Sequence, residues 1–212
     1  MPKTEVRKAA ERLILEHAKP KFKEFGYSKN GWTWSKQTES GIIRLFTVDF
    51  RSTNDRDLCE HSAKVAVCSE ETQAAFGRDR QPPRWHYSLG VPSMLAERLV
   101  LDEVRGYYLS VSSSEGVTPE HHEGYALLVD RSIEWLESVD SPEDQFEKCV
   151  ELSYWNHAAT VGMHLGRSDA VDVVRTALLR PLGPNLNLKP RRRIWDTALR
   201  HGIDLSGIEE PQ

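Results

Sequence analysis

The sequence has little of what marks a secreted, membrane or obviously catalytic protein. Among 212 residues there are three cysteines, Cys59, Cys68 and Cys149, each standing alone. An odd count without a CxxC pair makes no disulfide framework, so reduced thiols in a cytoplasm are expected. The opening residues, MPKTEVRKAAERL, are charged throughout and lack the apolar core of a signal peptide. No apolar run approaches the ~18 residues that a membrane helix needs. Positive charge is not in surplus either. Lys and Arg number 28 against 32 Asp and Glu, for a net charge of −4 and a pI near 6.1, which argues against bulk nucleic-acid binding. GxSxG, GxGxxG and CxxC are absent, and no cofactor or metal is expected. These absences predict a cytoplasmic, non-membrane protein and lean against an enzyme.

What remains is the profile of a globular chain, 39% hydrophobic and 28% charged. A chain of this length suits one large domain or a domain with an appendage, and it buries roughly 70% of its unfolded surface. From Thr4 to Phe25 the apolar residues Val6, Ala10, Leu13, Ile14, Ala18, Phe22 and Phe25 recur at helical spacing. Thr4 is the expected N-cap, and Pro20 is expected to kink or restart the helix. Gly26 fits a left-handed C′ residue, with Tyr27 reaching back to Phe22. The segment EFGYSKNGWTW (24–34) thus reads as a core-forming corner, with Lys29 and Asn30 as loop residues before Trp32 and Trp34 open a strand on one face.

Strand periodicity continues over 42–50, with Ile42, Phe46, Val48 and Phe50 on one face and Ile43, Leu45, Thr47 and Asp49 on the other. Neither face is wholly polar, which predicts a sheet covered on both sides. Further strands are expected at 63–68, 85–89 and 107–112, separated by polar loops at 54–57 and 77–84. After about residue 117 helical spacing takes over. Ser141-Pro142-Glu143-Asp144 is a helix start. A helical hairpin follows, with Gly166 ending one helix and Ser168 capping the next. A loop at 181–187 leads to a last helix closed by Gly202. The predicted fold is α+β: an N-terminal helix packed on a mostly antiparallel sheet of four to five strands, followed by a C-terminal helical region. The sheet part is expected over 1–116 and the helical part over 117–212, packed as one compact domain.

Few side chains suggest chemistry. Arg44, Asp49, Arg51 and His86 are the polar sheet residues that could line a pocket, with cross-strand ion pairs as the plainer alternative. Arg191, Arg192 and Arg193, following Lys189, form the one basic cluster and a candidate partner surface. Cys59 and His61 share a strand face, but their spacing alone makes no catalytic pair. His157 and His164 lie seven residues apart on a helix, outside the i, i+4 spacing usual for zinc. His121-His122-Glu123 reads as a solvated helix start, and Ser112 to Gly116 as a turn without the lysine of a P-loop.

Four stretches, FKEFGYSKNGWTW (22–34), IIRLFTVDF (42–50), WHYSLG (85–90) and SIEWLESVDSPEDQF (132–146), resemble the bacterial DUF4304 family, a domain of unknown function. Its members are similar in running from a helix through a glycine-aromatic corner into a sheet, with a late Trp-Leu helix end before a Ser-Pro-Glu-Asp start. The resemblance covers roughly residues 5–150. It implies no catalytic residues. Some relatives look like immunity proteins, which implies a toxin-like protein partner by analogy. The function expected is therefore a non-catalytic protein-binding module. The alternatives are a small-molecule-binding domain or enzyme with a pocket between sheet and C-terminal helices and, more weakly, nucleic-acid binding through 189–193 and 78–84.

Overall fold

A computed structural model describes residues 4–51, 56–69, 92–100, 109–180 and 189–211. The strand expected at 85–89, with His86, lies outside the described residues, as do the loops at 77–84 and 181–187. Helix α1 spans Glu5–Glu24 and starts where the Thr4 hydroxyl accepts the Arg7 N–H. It runs through Pro20 without restarting. Ala18 and Phe22, on either side of that proline, are fully buried, so core packing offsets the hydrogen bond that Pro20 cannot make. The helix ends as a Schellman turn: Gly26 takes φ +81°, its N–H donates to the Lys23 carbonyl, and the Tyr27 N–H donates to the Phe22 carbonyl at 2.8 Å. The Phe22 and Tyr27 rings meet edge to face at 5.0 Å.

Strands β1 (Ser28–Asn30), β2 (Thr33–Gln37), β3 (Ile42–Phe50), β4 (Leu58–Ser69) and β5 (Ser93–Leu95) lie in that spatial order, and β6 (Leu109–Ser112) also pairs with β4. The β1–β2, β2–β3, β4–β5 and β4–β6 pairs are antiparallel. Lys29 and Asn30 are therefore not loop residues: they pair with Trp34 and Thr33 in a hairpin turned at Gly31. Trp34 packs on Phe22 and Phe46, and Trp32 on Phe50, so the two tryptophans face one side. Residues 42–48 of β3 are all buried, which shows that both faces of this strand are covered.

Two compact units emerge from the chain. The first comprises residues 1–38, 43–67 and 83–138, and the second 39–42, 68–82 and 139–212. Helix α2 (Pro119–Glu137) belongs with the first unit, where α1 packs against α2 and β6. Val6, Ala10, Cys59 and Val111 form one patch of this core.

The second unit contains α3 (Pro142–Glu151), α4 (Trp155–His164), α5 (Ala170–Leu179) and α6 (Lys189–Arg200). The expected start of α3 is a full capping box. The Asp144 N–H donates to the Ser141 hydroxyl, and the Ser141 N–H donates back to the Asp144 carboxylate. Asp169, not Ser168, precedes α5 as its N-cap. Its carboxylate is engaged by the Arg167 guanidinium at 2.8 Å and makes no cap bond to the helix. Gly162 of α4 sits close against α3 and α5, where an added Cβ would stand 2.7 Å from the Phe146 ring and 3.1 Å from Ala170. After α6, Gly202 and Ile203 repeat the Schellman pattern by donating to Leu199 and Ala198.

Candidate functional site

The sheet residues singled out in the sequence do not converge. Side chains alternate along a strand, so Arg44 leaves one face of β3 while Asp49 and Arg51 leave the other. Asp49 accepts from Lys64 at 2.7 Å, and Arg51 donates to Glu60 at 2.6 Å. Both are ion pairs with β4. Arg44 is only 3% exposed and donates to the Glu137 carboxylate at 2.6 Å. Lys36 and the Tyr27 hydroxyl donate to the same carboxylate at 2.8 and 2.9 Å. Burial pushes the Glu137 carboxyl up, but hydrogen bonds from Lys36 and Tyr27 and the charges of Arg44 and Lys36 outweigh it, leaving it below the usual carboxylate range. With its oxygens occupied by three donors, this carboxylate joins β2, β3 and the helix ends in one knot.

Cys59 and His61 are both inside. Burial raises the thiol of Cys59 above its ordinary pKa despite nearby Arg7, so the reactive thiolate is disfavoured. Burial, followed by the charges of Arg7 and His121, lowers His61 to about 3. Its ring lies between Phe50 and Tyr125, with centroids at 5.5 and 5.7 Å, and neither ring nitrogen has a hydrogen-bond partner. A protonated thiol beside a neutral imidazole is packing, not a nucleophile with its base.

His121 is a structural cap. Its Nε2–H donates to the Ser110 carbonyl at 2.9 Å, which leaves Nδ1 to accept the Thr118 N–H at 3.1 Å. His122, one residue on, turns to α1, where Glu16, His17 and His122 bring three possible ligand atoms within 4.8 Å of one another.

In the helical unit two recesses share one side chain, Leu179. One, of about 640 Å³, is lined by Ser153, Trp155, Asp172, Arg175, Arg180 and Leu179 among others. The second, of about 490 Å³, is lined by Leu178, Leu179, Arg191, Ile208, Glu209 and Glu210 among others. Leu179 is 63% exposed. It falls outside the buried stripe of Val173, Val174, Ala177 and Leu178, and an apolar residue out of phase with its helix is the signal that could have found it.

Of the basic cluster, Arg191 reaches the second recess. Arg192 is clasped by Asp196 at 3.2 Å and Glu210 at 2.5 Å, and Arg193 is exposed. Arg180 donates to the Ser153 carbonyl at 3.4 Å, and Arg175 to the Asp204 carbonyl at 3.3 Å. Ser153 holds a left-handed φ of 57° at the end of α3, rare for a residue with a side chain. Among the described residues no helix is long and apolar enough to cross a membrane.

No family model, curated protein or solved structure matches this chain. Gly26, Tyr27, Trp34 and Ser141 serve as caps and core in the structure.

Proposed function

We propose that the protein is a non-catalytic binding module whose helical unit holds an acidic segment of another protein. The observation that carries this reading is Leu179, 63% exposed and common to two recesses with Arg175 and Arg180 in one and Arg191 in the other. Fully burying a leucine gains about 1.5–3 kcal/mol, and guanidiniums beside it suit carboxylates through paired N–H donors. The larger recess is lined by two guanidiniums and the carboxylate of Asp172. Arg175 also lies 3.8 Å from the Asp204 carboxylate, which leaves Arg180 as the recess guanidinium without a carboxylate partner among the described residues. In the second recess Arg191 stands with Glu209 and Glu210, so the acidic segment is assigned to the larger recess, where an apolar anchor beside arginine has the composition of an interface centre. The immunity-like role implied by the resemblance is one form of this reading.

The reading is tested by affinity capture from cells that express the protein, comparing wild type, Leu179→Glu and Leu127→Glu. Leu127 is another exposed leucine, on α2. A partner recovered by wild type and Leu127→Glu but lost with Leu179→Glu supports the proposal. Equal recovery by all three overturns it. So does a metabolite that raises the melting temperature through Arg175 while no protein is captured.

A further inference from the structure

We propose that Glu16, His17 and His122 form a binding site for a divalent transition-metal ion of the zinc class. His17 Nε2 stands 3.1 Å from His122 Nδ1, and His122 Nδ1 stands 3.8 Å from Glu16 Oε1. Zinc bonds imidazole nitrogen at about 2.0–2.1 Å, so a centre equidistant from the two nitrogens subtends roughly 100° across their separation, close to the tetrahedral angle. The carboxylate needs a wider angle, roughly 135° on the same bond lengths. Glu16 is exposed, so a small rotation of its side chain closes that gap.

The two nitrogens face each other, and without a metal one of them must carry the proton that bridges them. A cation takes the place of that proton and lets both imidazoles bind in the neutral form. Two imidazoles and a carboxylate fit zinc and its neighbours rather than calcium or magnesium, which prefer all-oxygen cages.

The frame is already set. Glu16 and His17 lie on α1 and His122 on α2, two helices packed against each other in the first unit. The fully buried Tyr125, one turn after His122, stacks on the His17 ring with centroids 6.4 Å apart. Lys21 and Asp130 pair across the same two helices at 3.2 Å. The ligands therefore sit at the edge of the buried seam, where a fourth position opens to water, and the ion ties α1 to α2.

The test uses the full chain, freed of metal with a chelator. It is titrated with Zn²⁺ by calorimetry and with Co²⁺ by visible absorption. One-to-one saturation is expected, with the intense d–d bands of tetrahedral Co²⁺ and a melting temperature raised by Zn²⁺. His17→Gln and His122→Gln should each weaken binding more than about tenfold, and Glu16→Gln, at an exposed position that cannot unfold the chain, about tenfold. His164→Gln, an exposed histidine in the other unit, should leave the constants unchanged. The proposal is overturned if wild type binds no Zn²⁺ saturably, or if Glu16→Gln and whichever histidine variants fold bind as tightly as wild type.

Discussion

Arg44 donates to the carboxylate of Glu137 at 2.6 Å, and the two residues lie 93 positions apart in the chain. The guanidinium is nearly inaccessible, while the carboxylate keeps about a quarter of its surface in water. Removing one member of a buried ion pair costs far more than the pair contributes net, because the remaining charge is stranded.

Glu137→Gln should therefore destabilise the fold by about 2–3 kcal/mol, below the range for fully buried pairs because Glu137 is partly solvated. Tyr27→Phe removes one hydrogen bond to the same carboxylate and should cost about 1.5 kcal/mol. Because the folded-state pKa of Glu137 lies below its unfolded value, its contribution is present above the ordinary carboxylate pKa and is lost as pH falls through the folded one. Denaturant titrations at neutral pH and in increasingly acidic solution check both the costs and their convergence as pH falls.

His61 governs a different pH window. Its folded pKa is near 3 against an ordinary 6.5, so between those values the unfolded chain binds a proton that the folded chain refuses. Stability should fall as pH drops from about 6.5 toward 3, by a few kcal/mol at most from this group. His61→Phe, close in shape, removes two unsatisfied nitrogens and should be neutral or stabilising at pH 7. It should also flatten the slope of stability against pH in that window. A slope equal to wild type would show that His61 takes a proton inside the fold.

Two backbone positions in the helical unit should respond in opposite directions. Gly162→Ala gains helix propensity of up to about 1 kcal/mol, but its methyl would collide with the buried Phe146 ring at 2.7 Å. Overpacking of this kind costs about 1–3 kcal/mol, so net destabilisation is expected. Ser153→Gly relieves a left-handed conformation costing roughly 1 kcal/mol and should raise stability by about that amount. Thermal melts of the two variants check the signs.

Local chemistry made part of this structure readable in the sequence. Gly26 and Tyr27 close α1, and Ser141 with Asp144 opens α3, because caps depend on residues three to five positions apart. The covered faces of β3 were visible in its apolar residues, Ile42, Phe46 and Val48 on one face and Ile43 and Leu45 on the other. Strand β1 was not, because three exposed residues have no period and owe their conformation to pairing with Thr33 to Ser35. The partner of Arg44 lies on an element far along the chain, and the side chain gives no sign of it. Glu16 and His17 look like ordinary solvent-side residues of an amphipathic helix until α2 brings His122 beside them. Leu179 was legible as an apolar residue off the buried stripe, although its arginine neighbours come together only when α5 and α6 pack.

The most direct measurement is selection of a random-peptide library on the intact protein, followed by calorimetric titration of the enriched peptides. The account predicts peptides with an apolar residue among aspartates and glutamates, binding that weakens as salt rises, and loss of at least about tenfold in affinity with Leu179→Glu or Arg180→Glu, equivalent to about 1.4 kcal/mol. Enriched peptides with no acidic character, or peptides that bind Leu179→Glu as tightly as wild type, would contradict it.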